Sequence, residues 1–218
     1  MNIYDINTCL SSLSHYRPFF VSEADFQHCF ALELRKRNFD VFLEFPISLT
    51  GTKRTVYLDL LVLDHKNNTL HPIELKFKTK RDYCHGLAIQ PQFQLKTHSA
   101  ADINRYLVWK DVNRIELIKK QYNYGQGFVI MLTNDEQYWT PASGPGVIDA
   151  SFRLHPKQHV QSILWQNNSS PNIYKCGTAT YPGFTLMNSY IVPQWIFYST
   201  GYSLINPSNN FRVLVIPV

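Results

Sequence analysis

The sequence predicts an α/β protein around a mixed sheet, with a β-rich elaboration after about residue 140. Three observations point to it. A helix-like segment is followed by three strand-like runs, a second helix and one further apolar run. The charged residues (Asp, Glu, Lys and Arg) crowd into the first two thirds of the chain. Residues 141–218 hold only Asp149, Arg153, Lys157, Lys175 and Arg212, amid many Tyr, Phe, Trp, Pro and Asn residues.

Each element follows from local chemistry. Ser22 can cap a helix over residues 23–37, with Asp25 adding negative charge to its first turn. Residues 41–45, 56–63 and 70–77 read as strands. Ser99 with Asp102 three residues on resembles a capping box, opening a helix that runs to about residue 120. Residues 127–133 form a buried strand, and the aromatic tail forms strands and loops packed on the first part. Two regions result, 1–140 and 141–218, and the charge-poor second region would also suit a subunit interface between copies.

Bulk properties bound the function. A net charge of +5 and a pI near 9.0 permit a phosphate-rich partner without demonstrating one. Four scattered cysteines form no C-x-x-C pair, and the eight histidines show no metal-ligand spacing, as expected of reduced, idle thiols. Residues 1–14 lack a basic leader and an apolar run, and the greasiest stretch, 184–198, is broken by Asn188, Ser189, Pro193 and Gln194. A cytoplasmic, soluble protein without a membrane partner is expected.

The chemistry concentrates in one hairpin. Residues 56–63 are apolar except for Asp59, and a carboxylate there costs several kcal/mol unless it is paired or meets a cation. Residues 64–68 make the turn. On the return strand Glu74 and Lys76 share one face, while Ile73, Leu75 and Phe77 share the other. A hairpin symmetric about residues 66 and 67 sets Asp59 opposite Glu74, with Cβ atoms roughly 4.5–5.5 Å apart. Two carboxylates so close repel, and a divalent cation such as magnesium, or manganese in its stead, would relieve them. Lys76 would then sit beside the cation, to orient or help deprotonate a water and to balance phosphate charge. The simpler alternative leaves Asp59 a buried acid paired with Lys76 or Arg105.

Gln27, Phe30 and Leu34 each fall within about 40° of Glu23 on the first helix, so Glu23 begins its inward face, whereas Glu33 points away. Glu23 could reach the cation directly or through water, or could merely stabilise the helix dipole, and Gln27 could touch the site. Lys78, Lys80 and Arg81 form a basic run past the hairpin, suited to tracking a phosphate backbone or to a solvated strand end. Arg105 is a further candidate phosphate contact. Asp111 and Arg114 suffice as a helix-stabilising pair, and Tyr138 with Trp139 as a packed aromatic pair.

An acid on a first helix, then Asp59, then Glu74-x-Lys76 resembles the PD-(D/E)XK nuclease superfamily, with Leu58 in place of its proline. Segments 22–27, 72–80, 102–106, 111–116, 132–135 with Tyr138-Trp139, and Phe211-Arg212 are similar to uncharacterised bacterial proteins of that core. The likeness departs at Phe197, where an acid is expected. It implies a restriction-endonuclease-like core and magnesium-dependent hydrolysis of phosphodiesters, and DNA is the expected partner ahead of RNA. Asp59, Glu74 and Glu23 are the expected metal ligands, and Lys76 joins them as a catalytic residue. Gln27, Lys78, Lys80, Arg81 and Arg105 are the expected nucleic-acid contacts. Host defence, mobile-element biology or repair would suit such an enzyme. The alternative is an inactive nucleic-acid-binding or assembly protein that keeps the architecture.

Overall fold

Asn2 starts the first element, a helix that precedes the elements predicted from the sequence. In α1 (Ile3–Tyr16) the Asn2 side chain accepts the N–H groups of Tyr4 and Asp5, and Asp5 returns a bond to Asn2 N–H. Ile6, Cys9, Leu10 and Leu13 make its buried stripe. Ser22 caps α2 (Glu23–Arg35) as expected, its hydroxyl accepting from Asp25 N–H. The computed structural model describes residues 1–50, 55–85, 92–142, 144, 146–166, 172–200 and 210–218.

Three long strands follow: β1 (Phe39–Ser48), β2 (Thr55–Asp64) and β3 (Thr69–Lys78). A short hairpin, β4 (Asp82–His85) with β5 (Gln92–Leu95), leads to α3 (Ala101–Tyr122) and β6 (Phe128–Thr133). The capping box expected at Ser99 does not form. Ala100 stands at the helix start with a left-handed φ of 59° and no side-chain cap. Asn104 Nδ2 instead ties back to the Ser99 carbonyl.

The last third supplies β7 (His159–Ile163), β8 (Ile173–Cys176), β9 (Ala179–Pro182), β10 (Phe184–Ile191), β11 (Ile196–Ser199) and β12 (Phe211–Pro217). It is strand and loop, as its composition predicts. It is not simply laid on a finished core, however, because the central six-stranded sheet runs β1-β2-β3-β6-β12-β11. All neighbours are antiparallel except β3 and β6, which run parallel across the α3 crossover, so the sheet is mixed. A boundary at residue 140 therefore cuts through one sheet.

Alternation along the strands sorts the side chains into two layers. Leu60, Val62, Ile73, Leu75, Phe77, Ile130 and Val215 meet α1 and α2 on one face. Val129, Met131, Leu214 and Ile216 meet α3, β7, β10 and Trp165 on the other. No described helix is long and apolar enough to cross a membrane. Tyr138 and Trp139 are packed aromatics: Tyr138 is buried against Asn104, and Trp139 lies against Trp195 and under Arg212.

Candidate active site

The β2–β3 hairpin folds in the register its symmetry predicts. Leu60 faces Ile73, Leu61 faces Pro72 and Val62 faces His71. One step further the same register sets Asp59 across from Glu74, but the ladder has ended and the strands part. Asp59 Oδ2 takes the place of a ladder carbonyl and accepts the Leu75 N–H at 2.6 Å. Opening the sheet here brings the two carboxylates beside Lys76 on the face that α3 covers.

Two α3 residues, one turn apart, close over that face. Arg114 Nη1 donates to Glu74 Oε1 at 2.6 Å. Lys76 Nζ lies 2.7 Å from Asp111 Oδ2, an ion pair without hydrogen-bond angles, and donates to its neighbour's carbonyl, Leu75 O, at 3.0 Å. Arg114 also reaches Asp111 at 3.4 Å. Asp111 and Arg114 are thus site residues, not merely a helix-stabilising pair.

Charge does not balance in this cluster. Three acids, Asp59, Glu74 and Asp111, face two bases, Lys76 and Arg114. Glu74 is 1 % exposed, and burial, then Asp111, drives its carboxyl well above the ordinary range despite Arg114. Burial also raises Asp59, against the opposing pull of Leu75 N–H and Lys76. Burial works against the Lys76 ammonium too, but Asp111, Glu74 and Glu23 outweigh it and hold the lysine above its usual value. These surroundings favour the ammonium form of Lys76, a donor suited to orienting a water or a phosphate oxygen.

Glu23 approaches from the opposite layer, at the first turn of α2. Its Oε2 accepts the Phe77 N–H at 2.7 Å and lies 3.7 Å from Lys78 Nζ. It sits at the same sheet end as Asp59 and Glu74, yet no three His, Cys, Asp or Glu side chains among the described residues are grouped to hold a metal ion. The oxygen donors and the unbalanced charge fit a hard divalent cation at Asp59 and Glu74, with the rest of its shell left to water and phosphate. Glu23 fits a water-mediated role.

Two expected contacts are corrected. Gln27 does touch the site, but as a brace: its Nε2 donates to Asp59 O at 2.7 Å and to Glu44 Oε1 at 2.8 Å, where β1 carries Glu44 at a left-handed φ of 46°. Arg105 is 3 % exposed and pairs with Asp149 at 2.5 Å and Gln137 O at 2.6 Å, beneath the Tyr138 ring. It therefore neither meets phosphate nor pairs with Asp59. Lys78, Lys80 and Arg81 do follow the site along the chain, with Lys80 and Arg81 exposed. Glu33 points away from the inward face as expected, yet it is buried, because α1 covers that side and Tyr16 donates to it. Compared with protein-family models, with curated proteins and with solved structures, the chain matches none.

Proposed function

We propose that the chain is a divalent-cation-dependent nuclease acting on DNA, with the PD-(D/E)XK arrangement suggested by its motifs. The observation that carries this reading is the parted end of the β2–β3 hairpin. There Asp59, Glu74 and Lys76 share one face on which acids outnumber bases, and burial resists the ionisation of both hairpin carboxyls. Asp59 and Glu74 would hold magnesium or manganese, which when bound supplies Lewis acidity at neutral pH. Lys76 holds its proton and offers Nζ donors to a water or a phosphate oxygen in line for attack. Asp111 positions that ammonium, Gln27 braces the backbone of Asp59, and Glu23 fixes the backbone of β3 beside the reacting centre. Lys80 and Arg81 offer exposed charge to the phosphate backbone.

A second reading has its own support: the Glu74–Arg114 and Lys76–Asp111 pairs also suit a structural ion network in a binding or assembly protein. Self-association would then use the edge strand β11, where Ile196 and Phe197 are exposed. One experiment separates the two readings. Supercoiled plasmid and linear single-stranded DNA are incubated with magnesium or manganese and either the parent or Lys76→Ala. Metal-dependent cutting lost in the variant supports the nuclease. Silence from the parent on both substrates favours the ion network.

A further inference from the structure

Beside Glu23, on the layer opposite Arg114, lies a cleft of about 350 Å³, the size of small-ligand sites. Its floor is apolar: Phe77 and Leu95 are buried there, and the half-buried Phe93 of β5 completes the wall. Its rim is cationic, with Lys78 and Lys96 against the single acid Glu23. Lys78 is partly neutralised by Glu23 at 3.7 Å, whereas Lys96 meets no described acid within ion-pair distance.

The rim is held firmly. Thr79 N–H donates to His98 Nδ1 at 2.9 Å, the Thr79 hydroxyl donates to Lys96 O at 2.7 Å, and His98 N–H donates to Thr79 O at 2.8 Å. With Nδ1 engaged as an acceptor, the neutral His98 ring carries its proton on Nε2 and has a donor to spare. Aromatic wall, fixed donor and uncompensated cation together match a nucleotide, whose base stacks and whose phosphate takes the charge.

We propose that this cleft binds one unpaired nucleotide of the DNA strand, its base against Phe93 and its phosphate at Lys96 and His98. The cleft shares Glu23 with the catalytic cluster, so the bound nucleotide neighbours the scissile phosphate. This inference rests on the nuclease reading and deepens it, making the substrate a single strand, overhang or flap. A base inside an intact duplex is not free to enter a pocket.

The test is fluorescence anisotropy in EDTA with a short labelled single strand and a blunt duplex of the same sequence, for the parent, Phe93→Ala and Lys96→Ala. Phe93 also packs on the core, so the exposed Lys96 provides the variant that leaves the fold intact. The parent should prefer the single strand about tenfold, and each variant should lose most of that preference. Equal binding of both forms by the parent, or a preference that survives in both variants, overturns the cleft. Cleavage with magnesium, scored on the same proteins, separates the two ideas. Cutting that ignores both substitutions refutes the cleft and leaves the nuclease, whereas strand preference without cutting does the reverse.

Discussion

Two buried glutamates, Glu74 on β3 and Glu116 on α3, are equally hidden and differently answered. Glu116, 4 % exposed, accepts from Met187 N–H, Asn188 N–H, Asn188 Nδ2 and the Tyr190 hydroxyl. Its lone pairs are consumed by β10, which it pegs to the helix. Glu74 has one arginine and sits among two further acids. The contrast teaches that buried charge is not by itself a sign of chemistry. What marks the hairpin end is a carboxylate whose surroundings leave it short of positive charge.

The largest expected effect breaks the Glu116 half of that comparison. Glu116→Ala strands two backbone N–H groups and a tyrosine hydroxyl, and should cost about 3–5 kcal/mol in urea unfolding. DNA cleavage per folded molecule should not change. A loss below about 1 kcal/mol would remove the peg and with it the contrast.

The Glu74 side is sharpened by its neighbour. Asp59→Asn keeps an oxygen for Leu75 N–H but gives up the charge, so unfolding should shift by less than about 1 kcal/mol. Cleavage should fall about a hundred- to thousandfold, the scale of losing one group that stabilises a transition state. A collapse of stability instead would make Asp59 a structural acid that holds the end of the hairpin through Leu75 N–H.

Proton binding gives a third handle, measured without divalent cations. A carboxyl whose folded-state pKa lies above its unfolded value, ordinarily near 4.5, holds its proton more tightly when folded. Stability from Glu74 is therefore fully present below that value and declines as pH rises through the raised folded pKa. Glu74→Gln has no such proton to lose, so its stability-against-pH curve should be flatter over that window. Parallel curves would mean that Glu74 is not the strained group.

Much of this arrangement was legible beforehand, for identifiable reasons. Register in a tight hairpin is a matter of counting, so the pairing of Leu60 with Ile73, one step short of Asp59 and Glu74, followed from the turn at residues 64–68. Ser22 announced α2 because a capping hydroxyl acts within one turn. What escaped depends on partners distant in sequence. Arg105 reads as a free cation until Asp149 arrives from 44 residues on. Asp111 and Arg114 read as a surface pair until α3 lies against β3. The α1 helix is different: its Asn2–Asp5 capping box and its stripe from Ile6 to Leu13 were present in the letters. Its serines and few charges weaken the pattern without hiding it.

The smallest expected effect bears on Arg114, which reaches Glu74 from the same helix that carries Glu116. At 32 % side-chain exposure and 2.6 Å from Glu74, its guanidinium competes for the carboxylate that a divalent cation would use. Removing it leaves the negative charge of Asp59, Glu74 and Asp111 opposed by Lys76 alone. Arg114→Ala should therefore tighten manganese binding about fivefold, roughly 1 kcal/mol, in calorimetry without DNA. Glu116→Ala, measured on the same day under folding conditions, should leave that affinity alone. Affinity unchanged or weakened in Arg114→Ala would mean that arginine and cation do not contend for Glu74, and the charge deficit at the hairpin end would need another owner.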